Sequence, residues 1–145
     1  MSNLTLNTKE LTDEFFEDTR LLGIVAPIED SKFCRLLNAI LDMDFRINNE
    51  IEIQLKKKNR DYFFSVFEYK EPSGFLEHYL YNNRFDGEFL LPEFKRIDFL
   101  WLMKGDELAN EHISLLSENI RQVDSVQLVA ELTNEKIKNK EHLVF

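Results

Sequence analysis

Residues 29–43 read EDSKFCRLLNAILDM, and this stretch decides the fold because it predicts an amphipathic helix. Its apolar residues recur at intervals of three and four, which places them on one face of an α-helix. They are Phe33, Leu36, Leu37, Ile40 and Leu41. Glu29 and Asp30 fall in the predicted first turn, where the helix dipole favours negative charge. One face of this helix should therefore be buried against a sheet.

Strands are predicted on either side of this helix. Residues 20–26 (RLLGIVA) are apolar and are followed by Pro27, a pattern that favours a buried strand. After the helix, apolar residues at 51, 53 and 55 alternate with polar ones and predict a half-buried strand. Residues 62–69 are apolar on both faces, which predicts a central strand covered on both sides.

The second half of the chain continues this mixture of strands and helix. Further strands are predicted at residues 75–82, 88–91, 96–104 and 125–132, with a turn at 83–87. The strand at 96–104 contains the only tryptophan, Trp101, and should be central. A second helix is predicted over 107–122, with Asp106 as its N-cap. The charged tail ends in LVF at 143–145, which should dock on the domain.

The resulting element order is β-α-β-β-β-β-α-β, in which 88–91 and 96–104 count as one strand interrupted around Pro92. It predicts an α+β fold in which an antiparallel sheet carries two helices packed mainly on one face. No linker or repeat interrupts residues 1–145, so we expect a single domain. Residues 1–18 are polar and acidic, and Leu4 and Leu6 suggest a short edge strand with frayed ends.

The composition argues against several classes of function. The net charge of −9 opposes binding to nucleic acid and to anionic membranes, because both are polyanions. The single cysteine, Cys34, permits no intrachain disulfide and fits a reducing compartment. The first residues, MSNLTLNTKELTDE, lack the basic start and apolar core of a signal peptide. We therefore expect a cytoplasmic protein that binds neither nucleic acid nor membrane.

Glu93 and Asp98 are the residues best placed to carry chemistry. Asp98 lies where the predicted central strand enters the core, and a buried carboxylate has a raised pKa unless it is paired or hydrogen-bonded. A carboxyl group with a raised pKa can act as a general acid or base. The structural interpretation is that both accept backbone N–H groups in the turn after Pro92, or pair with a nearby cation. The candidate cations are Arg84, Lys95 and Arg96.

Other signatures of chemistry are absent from the sequence. His78, His112 and His142 are far apart and have no metal-ligand spacing, so each should be a surface or partly buried residue. The sequence has no glycine-rich phosphate loop, nucleophile elbow or pair of closely spaced cysteines. The basic run at 56–60 is typical of a solvated hairpin tip. We predict neither a metal nor a cofactor, and assign no catalytic residue.

The segment LPEFKRIDF at residues 91–99 resembles the signature of the IPExxxVDY family, a group of short bacterial proteins. Pro92, Glu93 and Asp98 match this signature, and the residues at 91, 97 and 99 are conservative replacements. The similarity extends to residues 21–25, 34–38, 63–65 and 143–145. The resemblance implies a bacterial protein but no particular activity, substrate or cofactor. The binding or motif candidates around this segment are Pro92, Glu93, Asp98, Arg96 and Arg84.

Two functions are consistent with these features. The first is a non-catalytic module that binds a small ligand or a protein, with a second copy of the chain or another protein as the partner. The alternative is a small enzyme that uses Glu93 or Asp98 as acid or base in a polar pocket. A deep pocket in which one of these acids meets Arg or His would favour the enzyme. A shallow surface with exposed apolar residues would favour the module.

Overall fold

A computed structural model describes residues 2–105 and 108–145 and shows a mixed α+β fold, which confirms the predicted class. The helices are α1 (Ser2–Phe15), α2 (Asp30–Leu41) and α3 (Asn110–Arg121). The strands are β1 (Thr19–Val25), β2 (Arg46–Ile47), β3 (Ile53–Lys57), β4 (Arg60–Phe64), β5 (Val66–Lys70), β6 (Leu76–Asn82), β7 (Arg84–Phe85), β8 (Glu88–Phe89), β9 (Phe99–Gly105) and β10 (Leu128–Glu131). Short 3₁₀ helices lie at Pro92–Phe94, Asn134–Lys136 and Lys140–Leu143.

Six of the strands form one antiparallel sheet in the order β10-β1-β9-β6-β5-β2. β9 lies between β1 and β6, so the prediction of a central strand around Trp101 is confirmed. In the register, Trp101 stands opposite Leu22 on β1 and Leu80 on β6, and all three side chains are buried. The strand ends at Gly105, where a Cβ atom would collide with the carbonyl oxygen of Phe75.

The two predicted helices cover one face of this sheet, as expected. α2 contributes Phe33, Cys34 and Leu37 to the core on that face. α3 contributes Ile113, Leu116 and Ile120. Each fully buried side chain of this size stabilises the fold by roughly 1.5–3 kcal/mol relative to leaving it exposed. The helical layer is therefore fixed to the sheet by its apolar stripes.

A second core lies on the opposite face of the sheet. The hairpin formed by β3 and β4, the segment at residues 90–97 and the C-terminal tail cover this face. Leu143 in the tail is fully buried, and the ring of Phe145 contacts those of Phe15, Tyr79 and Tyr81. The prediction that the LVF terminus docks on the domain is confirmed. The sheet is therefore buried on both faces.

The prediction of a single strand over residues 62–69 is wrong. The stretch bends at Ser65 into β4, which pairs with β3, and β5, which pairs with β6 in the sheet. Phe63 on β4 is consequently 50% exposed. The bend lets the β3–β4 hairpin fold across the sheet. The alternation of apolar side chains is the same on both sides of the bend, so the sequence pattern does not indicate where the strand ends.

The N-terminal segment also differs from the prediction, because Leu4 and Leu6 lie in α1 and not in an edge strand. Two alternating residues are too few to define a period, and a helix gains stability cooperatively with its length. The predicted turn at 83–87 contains β7, which pairs with β8 across Asp86 and Gly87. Both of these turn residues have positive φ, as a two-residue hairpin turn requires.

Smaller corrections concern the edges of the predicted elements. Ile40 lies on the predicted stripe of α2 but is 49% exposed, whereas Cys34 is buried. On β10 the buried residue is Val129, and Leu128 is half exposed. The predicted N-cap Asp106 lies outside the described residues, and α3 begins at Asn110.

No helix in the described ranges is both long enough and apolar enough to span a membrane.

Candidate functional site

Asn83 organises the loop that carries the candidate residues. Its side chain is fully buried at the end of β6, and its amide nitrogen donates hydrogen bonds to the carbonyl oxygens of Phe94 and Ile97, both at 2.9 Å. Its side-chain oxygen accepts the backbone N–H of Leu91 at 2.8 Å. The Asn83 backbone also bonds to Asp98 and Leu90. One polar side chain therefore fixes both ends of the segment at residues 90–98.

Asp98 leaves this loop immediately before β9 and joins two other segments. One carboxylate oxygen accepts the backbone N–H of Ala26 at 2.8 Å, just after β1. The other accepts a hydrogen bond from the guanidinium of Arg84, and the two side chains form an ion pair. The Asp98 side chain is 12% exposed, whereas that of Arg84 is 53% exposed. The ion pair with Arg84 agrees with the structural interpretation, whereas the backbone N–H belongs to Ala26 and not to the turn after Pro92.

Glu93 holds a different part of the chain. Its carboxylate accepts the backbone N–H groups of Lys138 and Asn139 at 2.6 and 2.8 Å, and the Asn139 side chain at 2.9 Å. Burial alone would raise the pKa of Glu93, but the hydrogen bonds from Asn139 and from the backbone outweigh it and lower the pKa. Its partners lie in the C-terminal tail and not in the turn after Pro92. Glu93 therefore anchors the tail in its ionised form.

The remaining candidates occupy separate positions. Pro92 opens the 3₁₀ helix at its first position, where the absence of an N–H costs nothing. Arg96 is exposed and forms no hydrogen bond or ion pair with the described part of the chain. The structure thus brings together Arg84 and Asp98 but leaves Glu93 and Arg96 apart from that pair.

A groove of about 500 Å³ opens to solvent beside the Arg84–Asp98 pair, and we call it the Arg84 groove. One wall is the start of α2, where Asp30 accepts the side-chain amide of Asn82 at 2.7 Å. Glu29 lies on the same wall and accepts the Ser31 hydroxyl. The lining consists of Ala26, Pro27, Ile28, Glu29, Asp30, Asn82, Arg84, Asp98 and Phe99. The groove combines three carboxylates with one guanidinium, and no histidine is among these residues.

His78 is buried in the core, and the expectation of a surface or partly buried histidine is wrong. Its Nδ1 accepts the indole N–H of Trp101 at 3.0 Å, and its Nε2 lies 3.0 Å from a carboxylate oxygen of Glu71. Because an indole nitrogen only donates, His78 is neutral and carries its proton on Nε2. Burial lowers the pKa of His78, while Glu71 acts in the opposite direction. The ring also stacks on Tyr69.

The Cys34 thiol is not a reactive nucleophile. Burial raises the pKa of the Cys34 thiol to about 12, assisted by the negative charge of Asp30, so the thiol stays protonated. Within residues 2–105 and 108–145, no cluster of three or more His, Cys, Asp or Glu side chains could hold a metal ion.

The buried contacts of Asn83 could not be predicted from the sequence, and the position predicted for His78 was wrong. Asn83 precedes a turn, where asparagine is common for local reasons, so the sequence contains no sign of its long-range bonds. His78 did carry a signal. It alternates with Leu76 and Leu80 on β6, which places it on the buried face of the strand.

The comparisons with known proteins give no family assignment. No protein-family model, no curated protein and no solved structure matches this chain.

Proposed function

We propose that the chain is a non-catalytic protein-interaction module that receives a segment of a partner protein in the Arg84 groove. We also propose that it is a cytoplasmic protein of bacterial origin and a member of the IPExxxVDY family, on the resemblance of residues 91–99. The observation that supports the binding function is that Arg84 has N–H donors without a hydrogen-bond partner in the described part of the chain. Its guanidinium is paired with Asp98 and lies 5.9 Å from the centre of the Phe89 ring, while its other N–H donors have no hydrogen-bond acceptor among the described residues.

The engagement of the two acids favours binding over catalysis. Both oxygens of Asp98 are occupied by Ala26 and Arg84, and Glu93 holds the tail. Neither acid meets a histidine or the other acid in these contacts. A group whose hydrogen bonds hold the fold together is poorly suited to take up and release protons during a reaction.

The charges around the groove indicate the chemistry of the occupant. The exposed donors of Arg84 favour an acceptor such as a carboxylate or a backbone carbonyl. Glu29 and Asp30 on the facing wall favour a cation. A short polypeptide segment that carries a basic side chain beside free carbonyl groups satisfies both walls, whereas a simple anion or polyanion is repelled by the carboxylates.

The test is affinity capture with the tagged full chain from its native host, followed by reconstitution with the purified partner. Glu29→Lys and Arg84→Gln should each weaken the reconstituted complex by about tenfold or more, as is usual for charged groups at the centre of an interface. Arg96→Gln is the matched control, because it removes an exposed arginine outside the groove. Equal affinity for all variants would refute the assignment of the groove.

A different result would favour the enzyme. If the purified chain turned over a small molecule and Asp98→Asn abolished that turnover without unfolding the protein, Asp98 would be a catalytic residue. Circular dichroism of each variant provides the check on folding.

A further inference from the structure

The outer surface of α2 carries a basic stripe. Lys32, Arg35 and Ala39 follow one another at intervals of three and four and are all exposed. They lie on the side of the helix away from the sheet, because Phe33 and Leu37 occupy the buried side. Lys32 and Arg35 are the two cations of α2, on a protein whose net charge is −9.

The outer surface of α3 carries an acidic stripe with an apolar centre. Glu111, Leu115 and Glu118 recur at intervals of four and three, opposite the buried Ile113 and Leu116. Leu115 is 60% exposed, the highest value in either of these two helices among the large apolar side chains described. The two helices contact each other on the same face of the sheet, so both stripes belong to one surface.

The four charged side chains of these stripes have no partners within the described chain. None of Lys32, Arg35, Glu111 and Glu118 forms an ion pair or a hydrogen bond with another described residue. Neighbouring stripes of opposite charge that do not pair within one copy can pair between two copies.

We propose that this helical layer is the interface of a two-fold homodimer, in which α2 of each copy lies against α3 of the other. A two-fold axis repeats every contact. When the basic stripe of one copy pairs with the acidic stripe of the other, the reverse pairing therefore forms as well. Each of the two cations of α2 then faces an acid of α3 from the other copy. The two stripes share no residue with the lining of the Arg84 groove, although Lys32 follows the groove residue Glu29 by one turn of α2.

Packing and screening are consistent with this arrangement. The exposed Leu115 lies between Glu111 and Glu118, so in the dimer it packs against the aliphatic parts of Lys32 and Arg35 of the other copy. The negative net charge opposes self-association only at long range, because salt at physiological strength screens charges beyond about 8 Å. Charges in contact across the interface are screened much less.

The decisive experiment mixes two charge-reversed variants of the full chain. Lys32→Glu/Arg35→Glu makes both stripes acidic, and Glu111→Lys/Glu118→Lys makes both basic. Sedimentation velocity should show a dimer for the wild type, and each variant alone should dissociate at least about tenfold more readily, since like charges then face each other. An equimolar mixture of the two variants should restore the dimer, because each acidic stripe then meets a basic one.

The matched control is Lys95→Glu/Arg96→Glu, which makes the same change of charge at exposed positions outside the helical layer and should leave the dimer intact. All the substituted side chains are exposed, so circular dichroism should show folded proteins throughout. A wild type that stays monomeric at every concentration would overturn the proposal. So would variants that dimerise as well as the wild type, or a mixture that stays monomeric.

Discussion

Replacing Asn83 should be among the most damaging single changes in this protein. Asn83→Ala removes the acceptor of the Leu91 N–H and the donors to the carbonyl oxygens of Phe94 and Ile97. The Phe94 carbonyl keeps the N–H of Ile97 as a donor, so two buried groups, the Leu91 N–H and the Ile97 carbonyl, lose their partner. Each buried polar group left without a partner costs about 1–3 kcal/mol, so the two together should cost roughly 2–6 kcal/mol. That is a large part of the ~5–15 kcal/mol that typically stabilises a domain.

The assay is urea denaturation followed by circular dichroism, with Asn49→Ala as the matched control. Asn49 is exposed and forms no hydrogen bond with the described residues, so its replacement should change the free energy of unfolding by less than about 0.5 kcal/mol. Asn83→Asp adds a second comparison. It keeps the acceptor for Leu91 but directs a carboxylate at two carbonyl oxygens, so the variant should regain stability as the pH falls and the acid becomes protonated.

A loss of less than about 1 kcal/mol in Asn83→Ala would contradict this role of Asn83, since water would then be replacing the buried bonds. Asn83→Asp with the stability of the wild type at neutral pH would contradict it as well. Either result would mean that the loop at residues 90–98 is held by its apolar side chains and not by Asn83.

Three further predictions concern single side chains. Leu37→Ala should cost roughly 2–5 kcal/mol in urea denaturation because Leu37 is fully buried, whereas Ile40→Ala on the exposed side should cost much less. Asp98→Ala should lower the thermal midpoint by several degrees and more than Asp98→Asn, which keeps an acceptor for the Ala26 N–H. Burial lowers the pKa of His78 in the folded protein below its ordinary value of 6.5. As the pH falls below 6.5, the unfolded chain therefore binds a proton at this position before the folded protein does, and the free energy of unfolding should decrease. His78→Gln should reduce this pH dependence of the free energy of unfolding, because a glutamine can form both hydrogen bonds without titrating.

Each of these expectations has a result that contradicts it. Equal losses for Leu37→Ala and Ile40→Ala would show that the buried face of α2 is wrongly assigned. A higher thermal midpoint for the Asp98 variants would mean that Asp98 costs stability in favour of a function, which supports the enzyme. An unchanged pH profile in His78→Gln would show that other groups control the loss of stability in acid.

The fold class could be predicted from the sequence because it depends on local periodicity. The apolar stripe of α2 specifies a helix and its buried face, and the apolar run around Trp101 specifies a buried strand. Each pattern lies within a few residues of the chain. The confirmed elements β1, α2 and β9 are all of this kind. Their order then restricted the packing to an antiparallel sheet with helices on one face.

The candidate site was only partly accessible to the same reasoning. The need for a buried carboxylate to find a partner predicted that Asp98 pairs with a cation such as Arg84, but its backbone donor, Ala26, lies outside the turn after Pro92 where that donor was expected. The partner of Glu93, however, lies about 45 residues further along the chain. Nothing in the local pattern could indicate that Glu93 and Asn139 meet.

The tertiary structure alone decided how the elements meet. The bend at Ser65, which turns one apolar stretch into two strands of different sheets, leaves the alternation of side chains unchanged. The buried bonds of Asn83 and the contact of Phe145 with Phe15 are likewise set by the packing of distant segments. Periodicity records which face of an element is apolar, because that depends on neighbours within a few residues. Which segment packs on a given apolar face, and which group bonds to a given polar side chain, depends on how the whole chain folds.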